Sequence, residues 1–282
     1  MKLAIVTDST CDLDADTLAK LGVRRVPLYV HFQDKIYKDW LEISPADIIA
    51  GVKAGAATPS TSQPSPQDFE DTYKAAVQEG AEEILCLTIS SELSGTYQSA
   101  NLARDKAGVP VTVFDSRLAS LGLGAMVKRA AALRDEGKSV SEIVQELERI
   151  KKTNRTLFTV ASLEFLQKGG RIGKASALLG GLLNIKPILG LNDGKIEPVA
   201  KARGSKKALK EMVEQVRTFA EQHGEPIIHF LHVQEASAAT TLRDAVRESG
   251  IAFKDGGVGE IGAVIAAHVG PGTYGFFMYR EA

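Results

Sequence analysis

Three short apolar runs in the first half of the chain, Leu3 to Val6, Ile84 to Leu87 and Val111 to Phe114, set the tightest limit on what it can fold into. Each suits a buried strand and gives way to polar turn residues: Asp8-Ser9-Thr10 after the first, Ser90-Ser91 in the stretch after the second, Asp115-Ser116 after the third. Segments with helical spacing of apolar residues follow each of them. Continuously apolar strands alternating with helices belong to a mainly parallel sheet covered on both faces. Ligands of such sheets collect beyond the strand C-termini, where Asp8, Ser9, Ser94, Asp115 and Ser116 are expected to emerge.

Local signals place the helices. Asp14 to Leu21 reads as the first, and Ser44-Pro45-Ala46-Asp47 and Ser65-Pro66-Gln67-Asp68 each put a capping serine, a proline at the first helical position and an acid at the third. Further helices are expected at Leu118 to Asp135 and, behind Ser139-Val140-Ser141-Glu142, at Val140 to Lys152. Val26 to Phe32 reads as one strand, with Pro27 suggesting an edge or irregular start. Gly55 to Pro64, rich in proline and small hydroxyl residues, is expected to be a loop, stiffened by its prolines.

The second half follows another pattern. Thr156 to Ala161 and Ile185 to Leu191 read as strands, and Asn192-Asp193-Gly194 is a hairpin turn into Lys195 to Ala202. A helix from Lys206 to Gln222, a strand from Pro226 to His232, a helix from Ala236 to Ser249 and a strand at Phe276 to Tyr279 complete the reading. A hairpin implies an antiparallel sheet. The expected organisation is therefore an α/β fold of two domains, 1–153 with a mainly parallel sheet and 154–282 with a largely antiparallel one, divided at the polar run Lys152 to Thr156.

Composition narrows the function classes. Of 282 residues 44% are apolar, ample for two cores, while 34 Lys plus Arg against 35 Asp plus Glu give no field that would recruit nucleic acid or an anionic membrane. Cys11 and Cys86 both sit beside apolar runs and read as reduced, buried thiols, not as a disulfide or a metal site. The apolar start is too short for a signal peptide and no run reaches membrane-spanning length, so a cytoplasmic protein without an integral membrane segment is expected.

Common cofactor motifs fail. Gly122-Leu123-Gly124 lacks the third glycine of a dinucleotide fingerprint, Gly169 to Lys174 is a residue short of a P-loop and ends in Ala175, and Asp12-Asp14-Asp16 lacks the glycine and glutamate of a calcium loop. His229 and His232, three apart on a strand, point to opposite faces and cannot share a metal. What remains is Ser94, at the start of a helical pattern: it can cap the helix, or join the free backbone N–H groups in holding an anion, with Gly95 allowing close approach. Neutral hydroxyls and a helix start suit a single carboxylate better than a dianionic phosphate.

Eight ordered stretches resemble the DegV family of bacterial fatty-acid-binding proteins, which includes the lipid-carrying subunits of fatty acid kinase. They are Thr7-Asp8-Ser9-Thr10, Thr61-Ser62-Gln63-Pro64-Ser65, Leu93-Ser94-Gly95-Thr96-Tyr97-Gln98-Ser99-Ala100, Asp115-Ser116, Lys168-Gly169-Gly170-Arg171-Ile172-Gly173, Leu183-Asn184-Ile185-Lys186-Pro187, Lys201-Ala202-Arg203-Gly204 and His268-Val269-Gly270-Pro271-Gly272. The resemblance implies one long-chain fatty acid, such as palmitate or oleate, in a buried tunnel, its carboxylate held by Thr61 and Ser94 with Ser62, Gly95 and Thr96 in support. It assigns Arg171, Arg203 and His268 to phosphotransfer or to the surface for an ATP-dependent fatty acid kinase, and implies no cofactor, metal or catalytic residue of the chain's own. Leu118 to Val127, Ala177 to Leu183 and Ile261 to Ala267 are the segments expected to line the tail. Two alternatives stay open: a serine hydrolase or acyltransferase built on Ser94 with His268, and a lipid store or sensor without a kinase.

Overall fold

A computed structural model describes residues 2–179 and 185–281. The first strand, β1 (Leu3–Asp8), leads through a short turn into α1 (Ala15–Leu21), capped by the Asp14 carboxylate, which accepts from Thr17 N at 2.7 Å. The run expected as one strand from Val26 to Phe32 instead divides into β2 (Val23–Val26) and β3 (Tyr29–Phe32), and β3 leaves to pair antiparallel with β4 (Lys35–Lys38). Pro27 stands at the break, where it has no N–H to give a ladder. Helices α2 (Pro45–Lys53) and α3 (Pro66–Gln78) begin at the two prolines with complete capping boxes. Between them, part of the expected loop is a strand, β5 (Ser60–Ser62), which pairs with β3 and sets Thr61 opposite Val30.

β6 (Glu83–Thr88), α4 (Thr96–Ala103) and β7 (Val111–Asp115) complete the N-terminal part. Its main sheet has the order β2-β1-β6-β7, with every pairing parallel. The residues expected at its C-terminal edge are there, but most of them fasten loops. Asp8 accepts from Thr10 N at 2.9 Å and Ile89 N at 2.7 Å, Ser9 Oγ accepts from Leu28 N at 3.0 Å, and Ser91 donates to Asp115.

Helices α5 (Leu121–Asp135) and α6 (Val140–Thr153) follow, and the second half contributes β8 (Arg155–Thr159), α7 (Glu164–Lys168), β9 (Ile185–Asn192), β10 (Lys195–Arg203), α8 (Ser205–His223), β11 (Ile227–His232), α9 (Ala236–Glu248), β12 (Lys254–Glu260), α10 (Ala263–Val269) and β13 (Tyr274–Tyr279). Helix α5 starts three residues later than the expected Leu118, after Ser120 at φ 54°. The six-stranded sheet runs β10-β9-β8-β13-β11-β12 and is antiparallel except where β12 pairs with β11. Expected residues 183 and 184, and 180–183 of the second tail segment, lie outside the described residues.

Helix α5 is the layer between the sheets. From Leu121 to Val127 every residue is buried, the mark of a helix packed on more than one side. Its core joins Ile5, Leu85 and Phe114 of the parallel sheet to Met126 and to Phe277 of β13. Close approach depends on small residues: a Cβ on Gly122 would stand 3.0 Å from the Phe277 ring. Helices α8 and α9 cover the other face of the six-stranded sheet, with Met212, Phe219 and Leu242 against Phe230 and Phe276. The β9–β10 hairpin turns back onto the loop after β6, where Ser90 Oγ donates to Gly194 O at 3.0 Å and Arg117 and Lys195 both pair with Glu92.

Candidate functional site

A cavity of about 290 Å³ lies where these elements converge. Leu28 and Ile89 enter from the N-terminal loops, Gly122 from α5, Phe158 and Leu231 from the six-stranded sheet, and Val264 from α10. Polar groups on the wall include Thr61, Gln63, Ser94, Arg171 and His268. Parts of two expected tail segments line it, through Ala119 and Gly122 and through Ile261, Val264 and Ile265, whereas the described residues Ala177, Leu178 and Leu179 do not. Much of the wall, including Leu28, Phe158, Leu191 and Leu231, comes from strands and loops whose patterns read only as core.

Strand β5 positions Thr61. Its hydroxyl meets His268 Nε2 at 2.7 Å across 207 residues of sequence, joining the N-terminal part to the end of α10. Strand alternation sends the next side chain the other way. Ser62 is exposed and also lines the cavity, and its hydroxyl bonds His31 Nε2 at 2.9 Å.

Ser94 sits at the helix entrance, although the capping position of α4 belongs to Gly95. The Ser94 hydroxyl bonds Thr96 Oγ1 at 2.8 Å and accepts weakly from Thr96 N at 3.4 Å, so buried Thr96 orients it. Gly95 contributes room of a particular kind. A Cβ there would stand closer than 3.0 Å to the amide of Gln63, which lines the same cavity.

His268 is the most constrained group. Its Nδ1 is buried without a partner, and the ring edge lies so close to Gly169 that a Cβ on that glycine would overlap it. Burial, and then the charge of Arg171, push its pKa down to about 4, so the ring is neutral at physiological pH. With Nδ1 facing no acceptor, the favoured tautomer places the proton on Nε2 and donates it to Thr61. That leaves the Thr61 hydroxyl hydrogen free for a ligand.

Arg171 donates from Nε to Leu93 O at 3.0 Å and from Nη1 to Gly169 O at 2.7 Å, so it buttresses both the loop before Ser94 and the glycine behind His268. Arg203 stands apart. It is exposed at the end of β10 and does not line the cavity. The structure therefore brings Thr61, Ser94, Arg171 and His268 to one cavity and leaves Arg203 on the surface.

Other chemistries find little here. No histidine bonds Ser94 among the described residues; His268, its expected base, is engaged by Thr61. His229 Nδ1 donates to Gly256 O at 3.1 Å and His232 Nδ1 accepts from Glu235 N at 3.3 Å, and no group of three metal-ligating side chains occurs among the described residues. Cys11 and Cys86 are buried free thiols. No described helix is long and apolar enough to cross a membrane.

The family model described as "Uncharacterised protein, DegV family" matches residues 2–281. A DegV domain-containing protein of Deinococcus radiodurans is 49% identical over 277 residues, covering 98% of this chain and 97% of that protein. The fold superposes on a fatty-acid-binding DegV family protein from Thermus thermophilus with a TM-score of 0.96, at 49% identity and 99% coverage of both chains. It also superposes on a stearic acid-binding protein from Eubacterium ventriosum with a TM-score of 0.88, at 26% identity and coverage of 99% and 98%. A family match along almost the whole length, with relatives this similar over the same span, means that the chain belongs to the DegV family.

Proposed function

We propose that the protein binds one long-chain fatty acid, such as palmitate or oleate, in this cavity, with the carboxylate on the hydroxyls of Thr61 and Ser94, and presents it to a separate ATP-dependent fatty acid kinase. One observation carries the binding reading: hydroxyls from a strand of one sheet and a helix start after another open on the same, mainly apolar cavity. At about 290 Å³ it stands near the lower end of the ~300–1,000 Å³ range of small-molecule sites. About 0.8 kcal/mol per buried methylene gives a sixteen-carbon tail roughly 12 kcal/mol of gross burial before ordering costs. The tail sets affinity, and the hydroxyls set position. The likeness to proteins named for fatty-acid and stearic-acid binding supports the same ligand class.

Two charged groups support the second half of the proposal. Arg171 lies beside the cavity's polar wall, where a guanidinium suits the oxygens of a transferred phosphoryl group, and exposed Arg203 is placed to meet a partner. Residues 1–153 and 154–282 then act as two domains closed over the acyl chain. Denaturing extraction and mass spectrometry of the purified protein should release about one fatty acid per chain. An extract without lipid, together with no uptake of added palmitate or oleate, refutes the binding reading. ATP-dependent acyl-phosphate formation with a cognate kinase, set against none, separates the carrier from a lipid store.

A further inference from the structure

The β9–β10 hairpin reaches past the strand that supports it. β8 pairs with β9 only from Ile188 to Gly190, whereas the β9–β10 ladder runs on to Asn192 and Lys195. β10 is an edge strand, so residues 191–196 form a two-stranded ribbon beyond the reach of β8. A ribbon of that kind has little stability of its own and depends on what it touches. Leu191 stands opposite Ile196 in the ladder, and both line the cavity. At the tip Gly194 O accepts from buried Ser90 Oγ at 3.0 Å, and Glu92 pairs with Arg117 at 2.9 Å and with Lys195 of the hairpin at 3.3 Å. The receiving loop, which leads to Ser94, is fixed to the parallel sheet, because Ser91 and Arg117 both bond Asp115 of β7. At its base the ribbon is irregular. The register shifts between Pro198 and Ala200, and a Cβ on Gly190 would stand 3.0 Å from Val199 Cγ2. A bulge facing a strand glycine is a place where a ribbon bends.

We infer that this ribbon is the lid of the cavity: it bends at Gly190 and the Pro198–Ala200 bulge, its tip is latched to the Ser90–Glu92 loop, and a fatty acid enters and leaves beside Ser94 when the latch opens. The inference rests on the cavity being the fatty-acid site. Other parts of the wall are built in. Phe158 and Leu231 belong to strands paired on both sides, and Gly122 to a helix packed between the two sheets. The ribbon tip instead meets the N-terminal part through the Ser90 hydroxyl, an Arg117 contact to Asp193 O at 3.4 Å, and ion pairs at Glu92. The side chains of Arg117, Glu92 and Lys195 are 29%, 34% and 57% exposed, so these pairs hold weakly and are screened by salt. The short turn Gly173–Leu178 rests on β10, with Lys174 paired to Glu197 at 2.5 Å, and is carried with it. A bound tail packs against Leu191 and Ile196, and that contact is lost when the lid lifts, so occupancy itself favours closure.

The test follows release of preloaded radiolabelled palmitate into excess albumin from the parent, from Glu92→Gln and from the double variant Ser90→Cys/Gly194→Cys. Glu92→Gln removes the charge that both cations pair with and should quicken release about fivefold. Parent release should quicken as salt rises from about 0.05 M to about 0.5 M, and Glu92→Gln should lose that dependence. A Cβ on Gly194 would stand closer than 3.0 Å to Ser90 Oγ, so cysteines at these two positions are within bridging reach, while Cys11 and Cys86 are buried. The oxidised bridge should slow uptake and release on the order of tenfold, and dithiothreitol should restore both. Gly194 has φ 79°, and the strain of a cysteine there is common to the oxidised and reduced forms. Release from the bridged protein as fast as from its reduced form, or the same rate and salt dependence in Glu92→Gln as in the parent, overturns the lid. If the parent takes up no palmitate, the fatty-acid reading fails, and the latch is judged on the protein alone. Amide exchange over residues 191–196 should then quicken about fivefold in Glu92→Gln with β13 unchanged, and equal exchange in the two proteins refutes the latch.

Discussion

Gly169→Ala isolates the contact that holds His268 in place. Gly169 has φ −75° and ψ −6°, which alanine adopts freely, so the change introduces no backbone strain. The new methyl group would stand closer than 3.0 Å to His268 Nδ1, 3.0 Å from Cε1 and 3.1 Å from Phe165 O. Carbon contacts are comfortable only at about 3.5–4.0 Å, so the ring must withdraw by about 1 Å. The 2.7 Å Thr61–His268 bond would then stretch past the useful limit of a hydrogen bond. Losing it costs about 0.5–1.5 kcal/mol, a drop of about two- to tenfold in affinity for a ligand that needs Thr61 oriented. Restricting the unfolded chain offsets some of the packing strain by about 0.4–1 kcal/mol, so the melting temperature should move little. Palmitate competition against a fluorescent fatty acid, with thermal melting in parallel, reads both quantities. Affinity equal to the parent's would refute the reasoning, whether the ring had moved or not.

Thr61→Ala and Ser94→Ala should each weaken palmitate binding by about ten- to a hundredfold, since each removes a hydrogen bond to a charged group worth roughly 1.5–3 kcal/mol; equal affinity in parent, both singles and the double variant would mean that the carboxylate lies elsewhere. Arg203→Ala, exposed and outside the cavity, should leave that affinity unchanged while slowing acyl-phosphate formation by a cognate kinase, and a loss of binding would contradict its surface role. Burial holds both His229 and His268 down to about 4 from 6.5, so the unfolded chain binds more protons than the folded one between those values. The stability they confer is complete above pH 6.5 and is lost as pH falls toward 4, while Asp8, pushed up to about 6 by burial, acts in the opposite sense as pH rises from 3.8. His229→Gln should therefore shallow the acid-side fall in melting temperature, and a slope equal to the parent's would show that His229 titrates normally. Gly275→Ala should unfold the chain or destabilise it severely, because its Cβ would overlap Leu157 O and the Phe158 backbone in the neighbouring strand; a melting temperature within a few degrees of the parent's would show that the sheet can spread there.

Signals written within a few residues of one another were legible in the sequence. The capping boxes at Ser44, Ser65 and Ser139, the hairpin at Asn192 to Gly194 and the apolar runs of β1, β6 and β7 all form where local chemistry places them. Elements decided by distant partners were not. β12, with Gly256, Gly257 and Gly259, has little strand propensity and exists because β11 offers it a ladder. β5 lies in a stretch whose composition says loop, and β3 makes it a strand. At the site, Thr61 and Ser94 were accessible through the family resemblance, and the hydroxyl-rich loop and helix start agreed with it. The contact of Gly169 with His268 and the turning of Ser62 toward His31 depend on which face of an element meets which neighbour, and no local pattern carries that information.

The place of β13 in its sheet has a consequence for how the protein is made. It lies between β8 and β11, yet it leaves the ribosome after the other five strands of that sheet. Until then β10-β9-β8 and β11-β12 are separate ribbons, each with an unfilled apolar edge, and the Phe277 that α5 packs against is missing. At about 5–20 residues per second, that exposure lasts for seconds after β8 emerges. Open edges of this kind pair with whatever strand is nearest, so a nascent chain halted before Tyr274 is a candidate for aggregation and chaperone capture.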